Sequence, residues 1–371
     1  MSSKNILYHF FLPLRLLLYP FSLLYGGIIW LRNKLYDSGF LSSIEFSVPV
    51  ICVGNLSVGG TGKTPHIEYL VRLLQYRYKI ATMSRGYKRH TQGFIIADEN
   101  TNALRIGDEP MQYHLKFPEL VVCVAEERLT GIPALLQREP STEVILLDDA
   151  YQHRSVKAGL NILITDYANP FYNDHILPAG RLREKRSAYK RADVILVSKC
   201  PDGISKLDSE QIRQKIKPML TQQVFFSGIQ YGQTYDIFSK ENRDIAGCNI
   251  ILVCCIAKPE PLISHLEQIS ESVHVLSYSD HHYFVSNDLE EINAAYNNWT
   301  TENKIIVTTE KDAARLLLHK DKIAAMGMKI AVIPINVNIL FDEGGFFDML
   351  VMNYVEMTIG ENQDISAQEI N

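Results

Sequence analysis

Ser57-Val58-Gly59-Gly60-Thr61-Gly62-Lys63-Thr64 is the stretch whose residue types and spacing point most directly to chemistry. It follows an apolar, charge-free run, Val48 to Val53, and precedes a helix-like pattern from His66 to Leu74. Strand, glycine loop and helix in that order form the context of a phosphate-binding P-loop. Backbone N–H groups of such a loop converge on phosphate oxygens, and the helix start adds a favourable dipole. Lys63 is expected to reach the β- and γ-phosphates of a nucleotide, and the Thr64 hydroxyl to ligate Mg²⁺. Ser57 stands where the usual pattern has its first glycine. The competing reading is a glycine-rich turn with a surface lysine.

Four further clusters carry ionisable groups. Glu143 to Asp149 is an apolar strand ending in two acids, Asp148 and Asp149. A strand beside a P-loop delivers such an acid to the metal; the alternative is a polar strand end facing water. Gly107-Asp108-Glu109-Pro110 opens a helix-like stretch. Its acids either complement the helix dipole or point at a transferred phosphoryl group or an acceptor hydroxyl. Asp280-His281-His282 follows a strand and can bind metal, furnish a general base, or be a solvated loop. It also suggests a phosphoesterase family, but that family needs other aspartates with no counterpart here. Leu177 to Glu184 opens a basic segment in which Arg181, Arg183, Lys185, Arg186, Lys190 and Arg191 face one acid, Glu184. With Ser84-Arg85-Gly86-Tyr87-Lys88-Arg89, its guanidinium groups suit an anionic substrate or anionic lipid headgroups; a solvated charged face is the alternative.

These residues need a scaffold. The 371 residues suggest two domains. Strand-like runs at 49–54, 79–84, 120–125, 143–149, 160–166 and 193–198 alternate with helix-like ones at 65–77, 108–117, 126–138 and 207–219. That alternation predicts a parallel sheet covered by helices. After an extended bridge at 225–238, strands 248–256, 273–278, 304–308 and 328–334 alternate with helices 260–270, 287–299 and 310–319. Asn287 with Glu290 resembles a capping box. Residues 335–347 read as extended, and the polar end from Gly360 as disordered. The net charge of −5 argues against a strongly basic nucleic-acid binder. The six cysteines show no C-x-x-C spacing, which leaves zinc and redox motifs unsupported.

Residues 1–36 contain Lys4, Arg15, Arg32 and Lys34 and no acid, and Leu16 to Leu31 carry no full charge. A cleaved signal peptide would need a small-residue site that is not evident. Arg15, Pro13 and Pro20 weaken a spanning helix. A cationic, aromatic-rich helix lying in the bilayer face fits best, with a buried core helix as the alternative.

Taken together, the motifs resemble those of the tetraacyldisaccharide 4′-kinases, the lipid A pathway kinases of Gram-negative bacteria. The resemblance rests on Gly54 to Pro65, Ser84 to Tyr87, Gly107 to Pro110, Asp148 to His153, Leu177 to Glu184, Asp280 to His282 and Thr309 to Ala313. Their order and spacing span roughly residues 5 to 316. Ser57 is itself a feature of that family. Ala150-Tyr151, Arg181 after Gly180, and Ala257-Lys258-Pro259 depart from its commoner residues and touch local loop geometry.

The resemblance implies a P-loop NTPase-like α/β domain at 37–224 and a smaller α/β domain with β-ribbon linkers at 225–356, with nucleotide between them. A membrane-associated helix would occupy 1–36, on the cytoplasmic face of the bacterial inner membrane, and a disordered tail 357–371. The γ-phosphoryl of ATP would pass to the 4′-hydroxyl of a tetraacylated glucosamine disaccharide 1-phosphate, with Mg²⁺. Asp108 would be the base, paired with His281, and closure of the domains would complete the site. Asp148, Asp149 and Glu184 would belong with Thr64 to the Mg²⁺ region, and Arg85, Arg181 and Arg183 to the substrate. No nucleic acid or protein partner is implied. Two rivals are a P-loop GTPase switch, for which Ser198-Lys199 speaks and Pro201 speaks against, and a non-catalytic membrane scaffold.

Overall fold

A computed structural model describes the backbone of residues 3–369 and the side chains of 16–362. In chain order the elements are α1 (Ser3–Asp37), β1 (Val50–Gly54), α2 (Lys63–Leu74), β2 (Ile80–Ser84), β3 (Ile95–Ile96), α3 (Ala103–Ile106), α4 (Asp108–Lys116) and β4 (Val121–Val124). Next come α5 (Arg128–Arg138), β5 (Val144–Asp148), β6 (Leu160–Asp166), β7 (Val194–Ser198), α6 (Lys206–Ile216), β8 (Gln223–Tyr231), β9 (Tyr235–Asp236) and β10 (Asn249–Cys254). The last are α7 (Glu260–Ile269), β11 (Ser272–Ser277), α8 (Ser286–Asn298), β12 (Lys304–Thr309), α9 (Glu310–Leu316), α10 (Lys320–Met326), β13 (Ile330–Ile333), β14 (Ile335–Ile339) and α11 (Gly344–Glu369).

The chain divides into two compact units. Met1–Arg85, Leu120–Ile229 and Val337–Asn371 make the first; Gly86–Glu119 and Gln230–Asn336 make the second. In the first unit the strand order is β14-β8-β7-β6-β1-β5-β2-β4. Strands β1, β2, β5 and β7 are buried at every position. Continuous apolar runs without alternation are what a parallel sheet covered on both faces requires. Strand β1 lies between β5 and β6, with Val53 opposite Asp148 and Gly54 opposite Leu163. The loop after β1 therefore emerges at the carboxyl ends of its neighbours, the usual ligand position of an open α/β sheet.

The second unit is a smaller α/β body with strand order β11-β10-β12-β13-β9. Alternate residues of β10 serve opposite faces. Ile251 and Val253 pack with Leu289 and Ile292 of α8, while Ile250 and Leu252 pack with Leu262 and Leu266 of α7.

Four expectations are corrected. Residues 86–119, expected in the 37–224 domain, belong to the second unit, where α4 is fastened to α9 by Lys116 and Glu310 at 2.7 Å. The carboxyl end of the 225–356 domain belongs to the first unit. There the Tyr354 hydroxyl bonds both the N–H and the carbonyl of Val50, and Tyr69 bonds Asp348. The stretch expected to be extended to Phe347 and disordered over 357–371 forms α11 from Gly344 through Glu369. Phe347, Val351 and Val355 recur every fourth residue and are buried, which gives this helix an apolar stripe. The N-cap of α8 is Val285, whose N–H donates to the Asp288 carboxylate at 2.8 Å, so the start of this helix does not use the Asn287–Glu290 pair.

Among the described residues, no helix is long and apolar enough to cross a membrane. Helix α1 nevertheless exposes Leu16, Leu17, Phe21, Leu23, Leu24, Ile28 and Leu31, each more than half accessible.

Candidate active site

The glycine loop is stitched in place by the chain on several sides. Ser57 forms an antiparallel bridge with Leu182, the Val58 N–H donates to the Arg181 carbonyl, and the Arg183 N–H donates to the Leu56 carbonyl. Ser57 thus sits in extended pairing and has no positive φ. A glycine is not required there, which explains the serine at that position. Gly62 does need its freedom: it caps α2 at φ 87°, a left-handed conformation costly for other residues. The Asn55 amide holds Thr61 at 2.8 Å, and the Ser198 hydroxyl donates to the Thr61 carbonyl at 2.6 Å. His66 bridges the Gly62 carbonyl and Ser227, and its burial pushes its pKa down to about 4, so it works as a neutral ring. Lys63 and Thr64 open α2.

Lys199, from the Ser198-Lys199 pair, donates to the Gly60 carbonyl at 2.5 Å and lies 3.5 Å from Asp166. It braces the underside of the loop. Its φ of 57° is paralleled by 51° at Asp149. Non-glycine residues held there cost on the order of 1–3 kcal/mol each and cluster at functional sites.

Lys63 lies 3.5 Å from Asp149, and Arg183 grips both Asp149 oxygens at 3.0 and 3.1 Å. Burial pushes the Asp149 carboxyl up, but Lys63 and Arg183 outweigh it and hold it below the ordinary carboxylate range. Asp148 ends β5 and is 5% exposed. The neighbouring Arg128 is buried and donates to the Asp148 carbonyl at 3.1 Å.

Glu184, expected in the Mg²⁺ region, is held by donors of the protein itself. Its oxygens accept from Arg191 at 2.9 and 3.0 Å, from Gln152 at 3.0 Å and from Asn33 of α1 at 2.6 Å. The residue is 2% exposed, so these bonds occupy it fully. The basic segment is neutralised by acids from elsewhere in the chain: Arg181 pairs with Asp174 at 2.9 Å, and Arg183 with Asp149. Arg181 and Arg183 are thus each engaged by one acid, whereas Arg85 at the end of β2 is exposed.

Among the described residues no group of three or more His, Cys, Asp or Glu gathers as a metal cage. That suits Mg²⁺, which is commonly held by one or two carboxylates plus substrate phosphates. Thr64, Asp148 and Asp149 are hard oxygen donors of the kind Mg²⁺ takes; Asp149, like Glu184, has both oxygens engaged by an arginine.

The second unit brings together residues far apart in sequence. Asp108 begins α4 after Gly107, whose φ is 94° and whose absent Cβ would lie 3.0 Å from the Tyr87 carbonyl oxygen. His281 Nδ1 lies 2.9 Å from Asp108 Oδ2, and the Tyr283 hydroxyl donates to Oδ1 at 3.3 Å. His281 occupies φ 62° and packs edge-on against Tyr87. Lys311 Nζ is 3.2 Å from His281 Nε2. An ammonium can only donate, so Nε2 accepts and Nδ1–H donates to Asp108. His282, by contrast, turns away to Asp288 at 2.7 Å.

The Asp108 side chain is 1% exposed and that of His281 17%. The carboxylate is enclosed, and the imidazole is the accessible half. Burial pushes the Asp108 carboxyl up, but the bonds from His281 and Arg315 and the Arg315 charge hold it well below the usual range. Burial of Tyr283 and then the charge of Asp108 push its hydroxyl up to about 12, so Tyr283 remains a donor.

The sequence reading gave no place to Arg315, Tyr283 or Arg128; it met Lys311 only inside a motif and Lys199 only as support for a GTPase switch. For two of these a signal existed: Thr309 to Ala313 stands out as a motif, includes Lys311, and ends two residues before Arg315.

A sequence model of the family described as tetraacyldisaccharide-1-P 4′-kinase matches residues 14–354. A protein of Bacteroides thetaiotaomicron named tetraacyldisaccharide 4′-kinase is 44% identical over 372 residues, covering 97% of this chain and 98% of the relative. One of Flavobacterium johnsoniae with the same name is 44% identical over 92% of this chain and 98% of its own. A crystal structure of LpxK from Aquifex aeolicus in complex with ATP is similar with a TM-score of 0.71 at 29% identity, covering 92% of this chain and 99% of that one.

Proposed function

This chain belongs to the tetraacyldisaccharide-1-P 4′-kinase family, and from that membership and its geometry we propose that it transfers the γ-phosphoryl group of ATP to the 4′-hydroxyl of a tetraacylated glucosamine disaccharide 1-phosphate. The product is the bis-phosphorylated lipid A precursor. The observation that carries this reading is the Asp108–His281 pair, joined across 173 positions of sequence in a chain that also bears a P-loop. A P-loop alone serves many reactions; the added Asp–His pair suits transfer to a hydroxyl.

Phosphoryl transfer asks chiefly for positioning and charge neutralisation. The amides of residues 57–64 and the Lys63 ammonium hold the phosphates. Bound with Thr64, Asp148 and Asp149, Mg²⁺ supplies neutralisation of phosphate charge. Arg183 keeps Asp149 ionised and oriented. The Asp108–His281 pair accepts the hydroxyl proton at His281 Nε2, where the hydroxyl takes the place of the Lys311 ammonium, while buried Asp108 balances the charge. Arg85 and Arg181 suit the anionic parts of the substrate.

The exposed apolar residues of α1 support seating at a bilayer surface, on the cytoplasmic face of the inner membrane where ATP is available. Lys185 lies 5.1 Å over the Trp30 ring beside that face. Four acyl chains keep such a substrate in the bilayer, at about 0.8 kcal/mol per buried CH₂. An enzyme docked there need reach only the sugar.

The test is incubation with ATP, Mg²⁺ and a tetraacyl disaccharide 1-phosphate, read by mass for one added phosphate. Absence of that product from folded, ATP-binding protein would overturn the reading. GTP outcompeting ATP would favour the switch instead.

A further inference from the structure

The Thr309 to Ala313 motif has no role in the reaction as described, yet its helix reaches the Asp108–His281 pair. Arg315, three residues beyond Asp312 on α9, is fully buried. One end of its guanidinium meets Asp108 Oδ2 at 2.5 Å, and the other meets Asp312 Oδ1 at 3.2 Å. Asp312 is itself fixed: its Oδ2 accepts the Cys255 N–H at 3.0 Å and the Thr309 hydroxyl at 2.7 Å. A line of bonds thus runs from the carboxyl end of β10 through Asp312 and Arg315 to Asp108.

Resting on the reading that the Asp108–His281 pair accepts the hydroxyl proton, we propose that Arg315 is a positioning residue of the transfer reaction: anchored on Asp312, its guanidinium holds the Asp108 carboxylate ionised and turned toward His281. A buried arginine shared by two buried acids is a costly arrangement. Desolvated ion pairs often add little to stability over well-packed apolar residues. Retention of this arrangement beside the reacting pair is more readily understood through orientation and charge.

The surroundings fix what a change at 315 must do. Asp108 is faced by Arg315 from α9, by His281 and Tyr283 from the loop after β11, and by Lys311, whose charge acts on it from a greater distance. Lys311 lies 3.5 Å from Glu109 and 3.4 Å from Asp280, while His281 Nε2 lies 3.9 Å from Asp280. Arg315 also lies 3.3 Å from His281 Nδ1, a close approach of two donors rather than a bond, and its guanidinium sits 5.8 Å from the Tyr283 ring centroid. Removing the buried cation favours protonation of the Asp108 carboxylate that it holds. Asp108 is then neutralised at higher pH than in the parent protein.

The experiment compares Arg315→Met, Arg315→Lys and Asp108→Asn with the parent, in full-length protein, measuring kcat and the KM for ATP across pH. Arg315→Met is expected to lower kcat by about 100-fold at neutral pH, the lower end of the range of general acid–base contributions. Its acidic limb should move up by at least about one pH unit, the effect of losing an opposite charge within ~4–6 Å. ATP KM should stay within about twofold. Arg315→Lys, which keeps the charge, should return the limb to the parent position with a partial kcat. A folded Arg315→Met whose limb stays in place, with kcat reduced equally at all pH, would overturn the proposal. If Arg315→Met does not fold, Arg315→Lys decides: full kcat at every pH refutes the need for the guanidinium, and a kcat loss with unchanged ATP KM supports it. Parent-like turnover by Asp108→Asn would bring down the underlying proton-acceptor reading; an inactive Asp108→Asn beside an unmoved Arg315→Met limb would bring down this proposal alone.

Discussion

Replacing Glu184 with alanine separates a structural role from metal ligation. The carboxylate is 2% exposed and receives four hydrogen bonds, two from Arg191 and one each from Gln152 and Asn33. Removing one partner of a buried pair costs about 3–5 kcal/mol. The Arg191 side chain keeps 24% exposure and can recover some hydration, which places this case near ~3 kcal/mol. For a unit of this size, that corresponds to a fall in Tm of about 6–12 °C. Glu184→Gln keeps an acceptor but loses the charge, and should cost about half as much. The assay is thermal unfolding of the purified protein without nucleotide or metal, alongside turnover over a range of Mg²⁺ concentrations. The expected outcome is a clear Tm loss with an unchanged Mg²⁺ requirement among the molecules still folded. An unchanged Tm together with a raised Mg²⁺ requirement would refute the reasoning and return Glu184 to the metal.

Other outcomes follow from the same geometry. Lys63→Ala should lower turnover by several orders of magnitude, and near-normal activity would remove the P-loop from the mechanism. Asp108→Asn should lose most turnover while ATP binding, measured by titration, changes little, because Asp108 lies in the unit without the P-loop. Serine at Leu17, Phe21 and Leu24 should reduce partitioning onto vesicles with little change in Tm, since all three side chains are exposed; unchanged partitioning would argue against docking through α1. Asp108 is held below its ordinary pKa, so its contribution to stability is complete above about pH 4 and is lost as pH falls toward the folded value. Acid unfolding of the second unit should therefore be less steep in Asp108→Asn, and identical acid profiles would contradict the assigned direction.

Much of the scaffold is written locally. The runs at β1, β5 and β7 are continuously apolar because both faces of the sheet are covered, and a short apolar run followed by a glycine loop is readable without a partner. The second alternation of strands and helices is equally local. Helix α11 was hidden because Phe346, Met349, Leu350, Met352 and Met357 crowd around its buried Phe347, Val351 and Val355, which blurs the helical period; docking on the first unit picks out the buried stripe.

The candidate site divides along the same line. The sequence by itself placed the glycine loop after β1 and the two acids at the end of β5, because each is a short run of local residue types; for Asp108 and His281 it offered several roles, and only the family resemblance chose among them. Only the tertiary structure decided the partners. It assigned Glu184 to Arg191 and Asn33, turned Arg183 onto Asp149, moved residues 86–119 into the second unit, and set Arg315 against Asp108 across 207 positions. Ion pairs and hydrogen bonds act over a few ångströms, and no spacing along a chain records which distant side chain folding will bring within that range.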